Sequence, residues 1–321
     1  MSFLEDNYTK IFKKYTTEEL KKDISNFVNK KGHCYKFLNH FFEEEIFKSK
    51  ANKYSKSPYE ALNNDEDIAW IKNYVSTKPN FYTSKDEIVN IKSFFRNGTR
   101  IARKVANFDI RVAKDIYNRY GNGKKLNILD MCAGFGSRGA AAVLSGHKYT
   151  GIDANLGVIT QSQKMKEFLI KNNYINEEDL KYIYDGAENP HLELINNFDL
   201  MFTSPPYFNL ESYSNDNFAS SSNYNNYDKW LKDFMIPMLN NTKNYLKIDG
   251  LILINCKNLT NLGKQKIFDD VFKILKEDTD LEFVEIFDFK TPQKNFWMNT
   301  SYTKDQYKGW KEPVMVFKKK K

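Results

Sequence analysis

The stretch LNILDMCAGFGSRGAAAVL, residues 126–144, decides the fold. Residues 126–131 form a short apolar run that ends in a glycine-rich loop, as expected of a strand buried on both faces of a parallel sheet. From residue 140 the chain reads as a helix. The rhythm continues downstream: strands are expected at 148–153, 181–185, 198–203 and 251–256, and helices at 157–172, 227–246 and 265–276. Strands alternating with helices predict an α/β fold built on a doubly wound, mostly parallel sheet. Two more strands, at 281–290 and 314–318, have no long helix between them. A hairpin at the sheet edge is expected there, making seven strands, with 318–321 as a solvated tail.

Upstream, residues 1–121 read as helical and irregular. Leu20, Ile24, Phe27 and Val28 recur at helical spacing, and 37–47 and 66–75 continue in that style. Three parts are expected: a helical region at 1–93, a connecting segment at 94–125 and the α/β domain at 126–321. Of 321 residues, 41% are hydrophobic and 28% charged, which describes a globular chain with a sizeable core. The three cysteines, Cys34, Cys132 and Cys256, lie far apart with no CxxC pair. That excludes a disulfide scaffold and a zinc ribbon, and fits a reducing compartment. No metal is expected. No apolar run approaches the roughly 20 residues that span a bilayer, and from the first residues no leader peptide is expected, so a cytoplasmic protein with no membrane partner is expected.

The net charge of +8 is concentrated. Residues 94–125 carry nine basic and two acidic side chains, while the rest of the chain is almost neutral. Five of the six arginines lie there: Arg96, Arg100, Arg103, Arg111 and Arg119. Elsewhere the chain uses lysine. Arginine kept against that bias suggests that its fork geometry matters, as it does for phosphates and base edges. Arg96, Arg100, Arg103 and Arg111 are the candidate nucleic-acid contacts.

Residues 134–139, GFGSRG, match GxGxxG directly after a strand and before a helix. Two ligands suit such a loop: a dinucleotide, whose pyrophosphate takes backbone N–H groups, or S-adenosylmethionine, which has no phosphate and needs carboxylates for its amino group and ribose hydroxyls. Asp130, Asp153 and Asp185 each end one of three consecutive strands, at the edge where open α/β sheets bind ligands. Their expected partners are the methionine part, the ribose and the adenine, respectively. This pattern favours S-adenosylmethionine over a dinucleotide.

Thr203-Ser204-Pro205-Pro206-Tyr207-Phe208 follow the fourth strand. Two prolines fix φ and remove two N–H donors, leaving rigid carbonyls as acceptors. DMCAGFGSRG (130–139) followed by TSPPYF (203–208) resembles the amino-methylating DNA methyltransferases, and 57–73 with 94–117 resemble phage-encoded members. The resemblance spans roughly residues 105–320. It implies a Rossmann-like methyltransferase sheet and S-adenosylmethionine as cofactor, contacted by Phe108, Asp130, Ala133, Gly134, Gly136, Asp153, Asp185 and Thr203. It also implies a catalytic loop of Ser204, Pro205, Pro206 and Tyr207, and double-stranded DNA as partner, with an oligomer not indicated. The Ser204 hydroxyl and the Pro205 carbonyl would orient the exocyclic amine of a flipped base, and Tyr207 would stack on it. Serine at 204 favours N4 of cytosine over N6 of adenine. An RNA methyltransferase and a catalytically idle DNA-binding subunit are the alternatives. About 65 residues separate the two motifs, which leaves no room for an inserted recognition domain. Recognition is therefore expected from 1–121, from the Ser/Asn/Tyr-rich loop at 209–227, or from the aromatics Phe296, Trp297, Tyr302 and Trp310.

Overall fold

The computed structural model describes residues 2–29, 32–51, 55–97, 101–208, 224, 226–258, 266–288, 298–300 and 312–320. Arg100, residues 209–223 of the polar loop and the aromatics Phe296, Trp297, Tyr302 and Trp310 lie outside them.

Six helices come first: α1 (Phe3–Ile11), α2 (Thr17–Val28), α3 (Tyr35–Lys48), α4 (Pro58–Leu62), α5 (Asp65–Ser76) and α6 (Glu87–Asn97). The ends of α1, α2 and α4 are written in sequence. Ser2, Thr16 and Ser57 each form a capping box with a glutamate three residues on, satisfying N–H groups that the first turn leaves unpaired. Helix α7 (Ile110–Gly121) leads into the α/β core. That core runs β1 (Asn127–Asp130), α8 (Ser137–Leu144), β2 (Lys148–Asp153), α9 (Leu156–Lys171), β3 (Leu180–Tyr184), β4 (Phe198–Thr203), α10 (Tyr227–Trp230), a π-helical turn (Leu231–Met235), α11 (Ile236–Tyr245), β5 (Leu246–Asn255), α12 (Ile267–Glu277), β6 (Leu281–Asp288), β7 (Met298–Thr300) and β8 (Pro313–Lys319).

The strands form one sheet in the order β3-β2-β1-β4-β5-β8-β6-β7. The pairs among β1 to β5 are parallel, and β8 runs antiparallel to both β5 and β6. The expected hairpin therefore exists, but β8 inserts between β5 and β6 instead of standing at the rim. Pro313–Lys319 is accordingly a buried strand and not the start of a tail. Its lysine Lys319 donates to the Leu246 carbonyl at 2.8 Å, and Lys318 pairs with Asp249 at 2.6 Å. The three-residue β7 adds an eighth strand beyond the seven expected. Strand order reverses between β1 and β4, so the loops leaving these two strands open side by side, where doubly wound sheets bind ligands.

The sheet is covered on both faces. One face carries α7, α8 and α9 with Leu200, Phe202 and Leu253. The other carries α10 to α12 with Trp230, Met238, Phe268 and Met201. Of the N-terminal helices, α2 and α3 contribute Leu20, Ile24, Phe27, Phe37 and Phe42 to the same apolar core as the sheet, whereas α1, α4, α5 and α6 bury a second core around Leu4, Ile11, Leu62, Ile71 and Phe94. Helix α3 packs on α9, and α7 packs on α8, whose residues Ser137–Val143 are all buried and mostly alanine or glycine. Among the described residues no helix is long and apolar enough to cross a membrane.

Helix α7 is fastened at its far end by an arginine from the basic segment. One Nη of Arg119 reaches both carboxylate oxygens of Glu285 on β6 at 2.7 Å, and the Tyr120 hydroxyl adds a hydrogen bond at 2.9 Å. The guanidinium also lies over the rings of Tyr120 and Phe287. Arg119 thus has a structural partner. Arg119→Ala is expected to cost about 1–2 kcal/mol, because the pair is partly exposed and screened, and to leave nucleic-acid affinity unchanged. A denaturant midpoint that does not move, together with weakened nucleic-acid binding, would contradict this assignment.

Candidate active site

The loop after β1 is built around one carboxylate. Asp130 is fully buried and accepts five hydrogen bonds: Arg138 Nε at 2.6 Å, Arg138 Nη2 at 3.2 Å, Tyr149 Oη at 2.7 Å, Thr203 Oγ1 at 2.9 Å and the Cys132 N–H at 3.2 Å. Arg138 is itself buried and also donates to the Cys132 carbonyl. Burial alone would pull the Arg138 guanidinium down, but the Asp130 carboxylate overrides this and holds it above its ordinary value. Asp130 is therefore committed inside the protein and not turned to a ligand. Burying a carboxylate demands that its lone pairs be filled, and these donors fill them.

Thr203 is also fully buried, and its hydroxyl joins the end of β4 to Asp130 at the end of β1. The glycine loop and the Ser204–Tyr207 loop are thereby fixed to one acid. In the second loop Pro205 is buried, while Ser204, Pro206 and Tyr207 remain partly exposed. Phe208 is buried against the rings of Tyr227 and Trp230 at 6.0 and 6.2 Å. Those rings precede the π-helical turn, a local widening often found at functional sites.

Within the glycine loop, Gly134 and Gly136 both have positive φ, +60° and +73°, the region that side chains other than glycine seldom adopt. The Gly134 N–H donates to Asp153 Oδ2 at 2.8 Å, and the Asn155 N–H to Asp153 Oδ1 at 2.9 Å. Each oxygen of Asp153 keeps acceptor capacity, and the residue is half-buried. Burial pushes its carboxyl up despite these two N–H groups. Ala133 is buried, its N–H bonded to the Ile152 carbonyl at 2.9 Å. Asp185 is half-buried at the end of β3 and accepts from the Gly186 N–H at 2.7 Å and Asn189 Nδ2 at 2.6 Å. Exposed Leu156 and Tyr184 stand beside these aspartates. Phe108 meets Phe202 edge-on at 5.4 Å and lies under the Arg138 guanidinium. Next to it, Asn107 Nδ2 donates to the Phe135 carbonyl at 3.0 Å.

The structure thus brings the cofactor candidates Phe108, Asp130, Ala133, Gly134, Gly136, Asp153, Asp185 and Thr203 to the same sheet edge as Ser204–Tyr207. The basic candidates are more dispersed. Arg96 and Arg103 are exposed, whereas Arg111 is held by Asp109, with Nη2 to Oδ2 at 2.8 Å. Sequence reading missed Arg138, although it is the one arginine outside 94–125 and stands within the glycine loop. It also missed Phe42 and Glu45 of α3. An added Cβ on Gly136 would stand 2.3 Å from the Phe42 ring, and one on Gly157 would stand 2.3 Å from Glu45 Oε2. Helix α3 therefore walls the glycine loop and the start of α9.

Gly136→Ala should accordingly cost about 2–4 kcal/mol, combining overpacking against Phe42 with strain at positive φ. Combined with Phe42→Ala, the double variant should fall short of the sum of the two single losses by at least about 1 kcal/mol. Strict additivity in denaturant unfolding would show that the two do not touch.

Residues 198–321 match the family model described as DNA methylase. No curated protein matches the chain. Among solved structures, a TehB-like S-adenosylmethionine-dependent methyltransferase from Corynebacterium glutamicum is similar at 16% identity and a TM-score of 0.43, covering 79% of this chain and 100% of its own. An S-adenosylmethionine-dependent O-methyltransferase from Thermotoga maritima is similar at 14% identity and 0.40, covering 71% of each chain. The 1,6-didemethyltoxoflavin-N1-methyltransferase of Burkholderia thailandensis, solved with S-adenosylhomocysteine, is similar at 12% identity and 0.38, covering 80% and 91%. All three scores are low, and the fold assignment rests on the strand order of this chain. The match to the DNA methylase family model thus runs from the strand that carries Thr203 to the last lysine.

Proposed function

We propose that this chain methylates DNA on the exocyclic amine of a base, N4 of cytosine ahead of N6 of adenine. The observation that carries this reading is the hydrogen bond from Thr203 to Asp130, which sets the Ser204-Pro205-Pro206-Tyr207 loop beside the glycine loop at the point where strand order reverses.

The residues present fit S-adenosylmethionine. A Cβ on Gly134 would stand 3.9 Å from Arg138 Nη2 and from the Cys132 carbonyl oxygen, at ordinary van der Waals distance with no clash. Asp153 keeps lone pairs for ribose hydroxyls. Leu156 and Tyr184, exposed beside the two aspartates, suit an adenine ring. Asp130 acts here as a positioning residue, holding the loop without touching the ligand. Bound in this cleft, the cofactor supplies an electrophilic methyl group on a sulfonium.

The chain's own residues have to make a poor nucleophile competent. An exocyclic amine shares its lone pair with the ring, so the site must hold it in line at near-attack distance. The Ser204 hydroxyl and the Pro205 carbonyl accept its two hydrogens and turn the lone pair outward. Tyr207, partly exposed and backed by the aromatic cluster of Phe208, Tyr227 and Trp230, offers a face for the base. Because that geometry is out of reach inside a duplex, the base must leave the stack.

Incubation with methyl-labelled S-adenosylmethionine and, separately, DNA, RNA and protein should place label in DNA, and digestion should release N4-methylcytosine. Ser204→Ala and Tyr207→Ala should each slow transfer about 100-fold while changing cofactor affinity only a few-fold. Label in RNA or protein alone would overturn the reading, and N6-methyladenine would reverse the base assignment.

A further inference from the structure

Resting on the DNA-methyltransferase reading, we propose that the stacked rings of His33 and Tyr35, flanked by Arg96 and Arg111, form a contact platform for duplex DNA beside the catalytic edge. The two rings lie 4.6 Å apart and within 10° of parallel. Here Cys34 between them is buried and holds a left-handed backbone (φ +56°), which folds one ring over the other. The outer ring is open to solvent: Tyr35 is 60% exposed, among the most open large side chains of the described residues. Burial, then the neighbouring Arg111, lowers the affinity of His33 for a proton, so near neutral pH it is a flat uncharged ring. An exposed tyrosine ring backed by a half-buried imidazole is a surface for deoxyribose and base faces opened by extrusion of the target base, and base–aromatic stacking tolerates any sequence.

Charge and position agree with that occupant. Among charged groups, the Tyr35 hydroxyl feels Asp109 most, then its partner Arg111, and then Arg96, exposed at the end of α6. Asp109, which holds Arg111, directly follows Phe108, and Phe108 packs on Phe202 next to Thr203. The platform therefore borders the edge from which Ser204 projects.

The test is affinity for duplex DNA, measured with the full chain across a salt series. Tyr35→Ala should weaken binding at least about five-fold with an unchanged salt slope, because stacking releases no counterions. Tyr35→Phe should keep parental affinity, as should Phe81→Ala, a control at a residue 80% exposed elsewhere. Arg96→Ala should lower the salt slope by about one. A parent that binds and methylates DNA, with Tyr35→Ala within two-fold of it and equally stable to heat, overturns the platform alone. A parent that neither binds nor methylates DNA overturns both the platform and the reading on which it rests.

Discussion

A buried carboxylate is the constraint on which the site depends. Asp130 sits fully buried at the end of β1, so the fold has to supply its donors. Arg138 comes from the start of the next helix, Tyr149 from the neighbouring strand, Thr203 from the strand on the other side, and Cys132 from the loop itself. The need for those donors fixes where the glycine loop turns and where the Ser204–Tyr207 loop leaves the sheet. Two loops more than 60 residues apart in sequence are thereby held in one register. The same arrangement separates tasks among the aspartates: Asp130 is spent on structure, while Asp153 keeps capacity at the open edge.

The second constraint comes from outside the sheet. Helix α3 lays Phe42 on Gly136 and Glu45 on Gly157, so the N-terminal region completes the wall of the cleft. Gly136 thus answers two demands, positive φ and the absence of a Cβ beneath Phe42. A region expected to serve recognition also shapes the site, and the link runs through buried packing, which is rigid and transmits displacement.

Much of this was legible in the chain. Strand–helix alternation from residue 126 predicted the parallel sheet, because strands buried on both faces read as apolar runs. The motifs at 134–139 and 203–208 led to adjacent loops at one sheet edge. What was not legible has physical causes. The insertion of β8 between β5 and β6 is a choice of strand partner, and local pattern carries no information about partners at long range. The commitment of Asp130 to Arg138 depends on side-chain direction, since spacing alone cannot tell a ligand-facing acid from a buried one. Arg111 and Arg119 looked alike as basic residues but found Asp109 and Glu285, and only the folded chain reveals those pairings. The packing of α3 on the glycine loop had no sequence signal beyond an amphipathic helix.

The account stands or falls on the buried pair. A double-mutant cycle of Arg138→Met and Asp130→Asn, followed by denaturant unfolding and cofactor binding, tests it most directly. Arg138→Met alone should cost about 3–5 kcal/mol by leaving Asp130 charged and unpaired, and should abolish cofactor binding by releasing the loop. Adding Asp130→Asn should return more than about 1 kcal/mol of that loss. A single substitution that costs under about 1 kcal/mol, with cofactor binding intact, would contradict the claim that this pair organises the site.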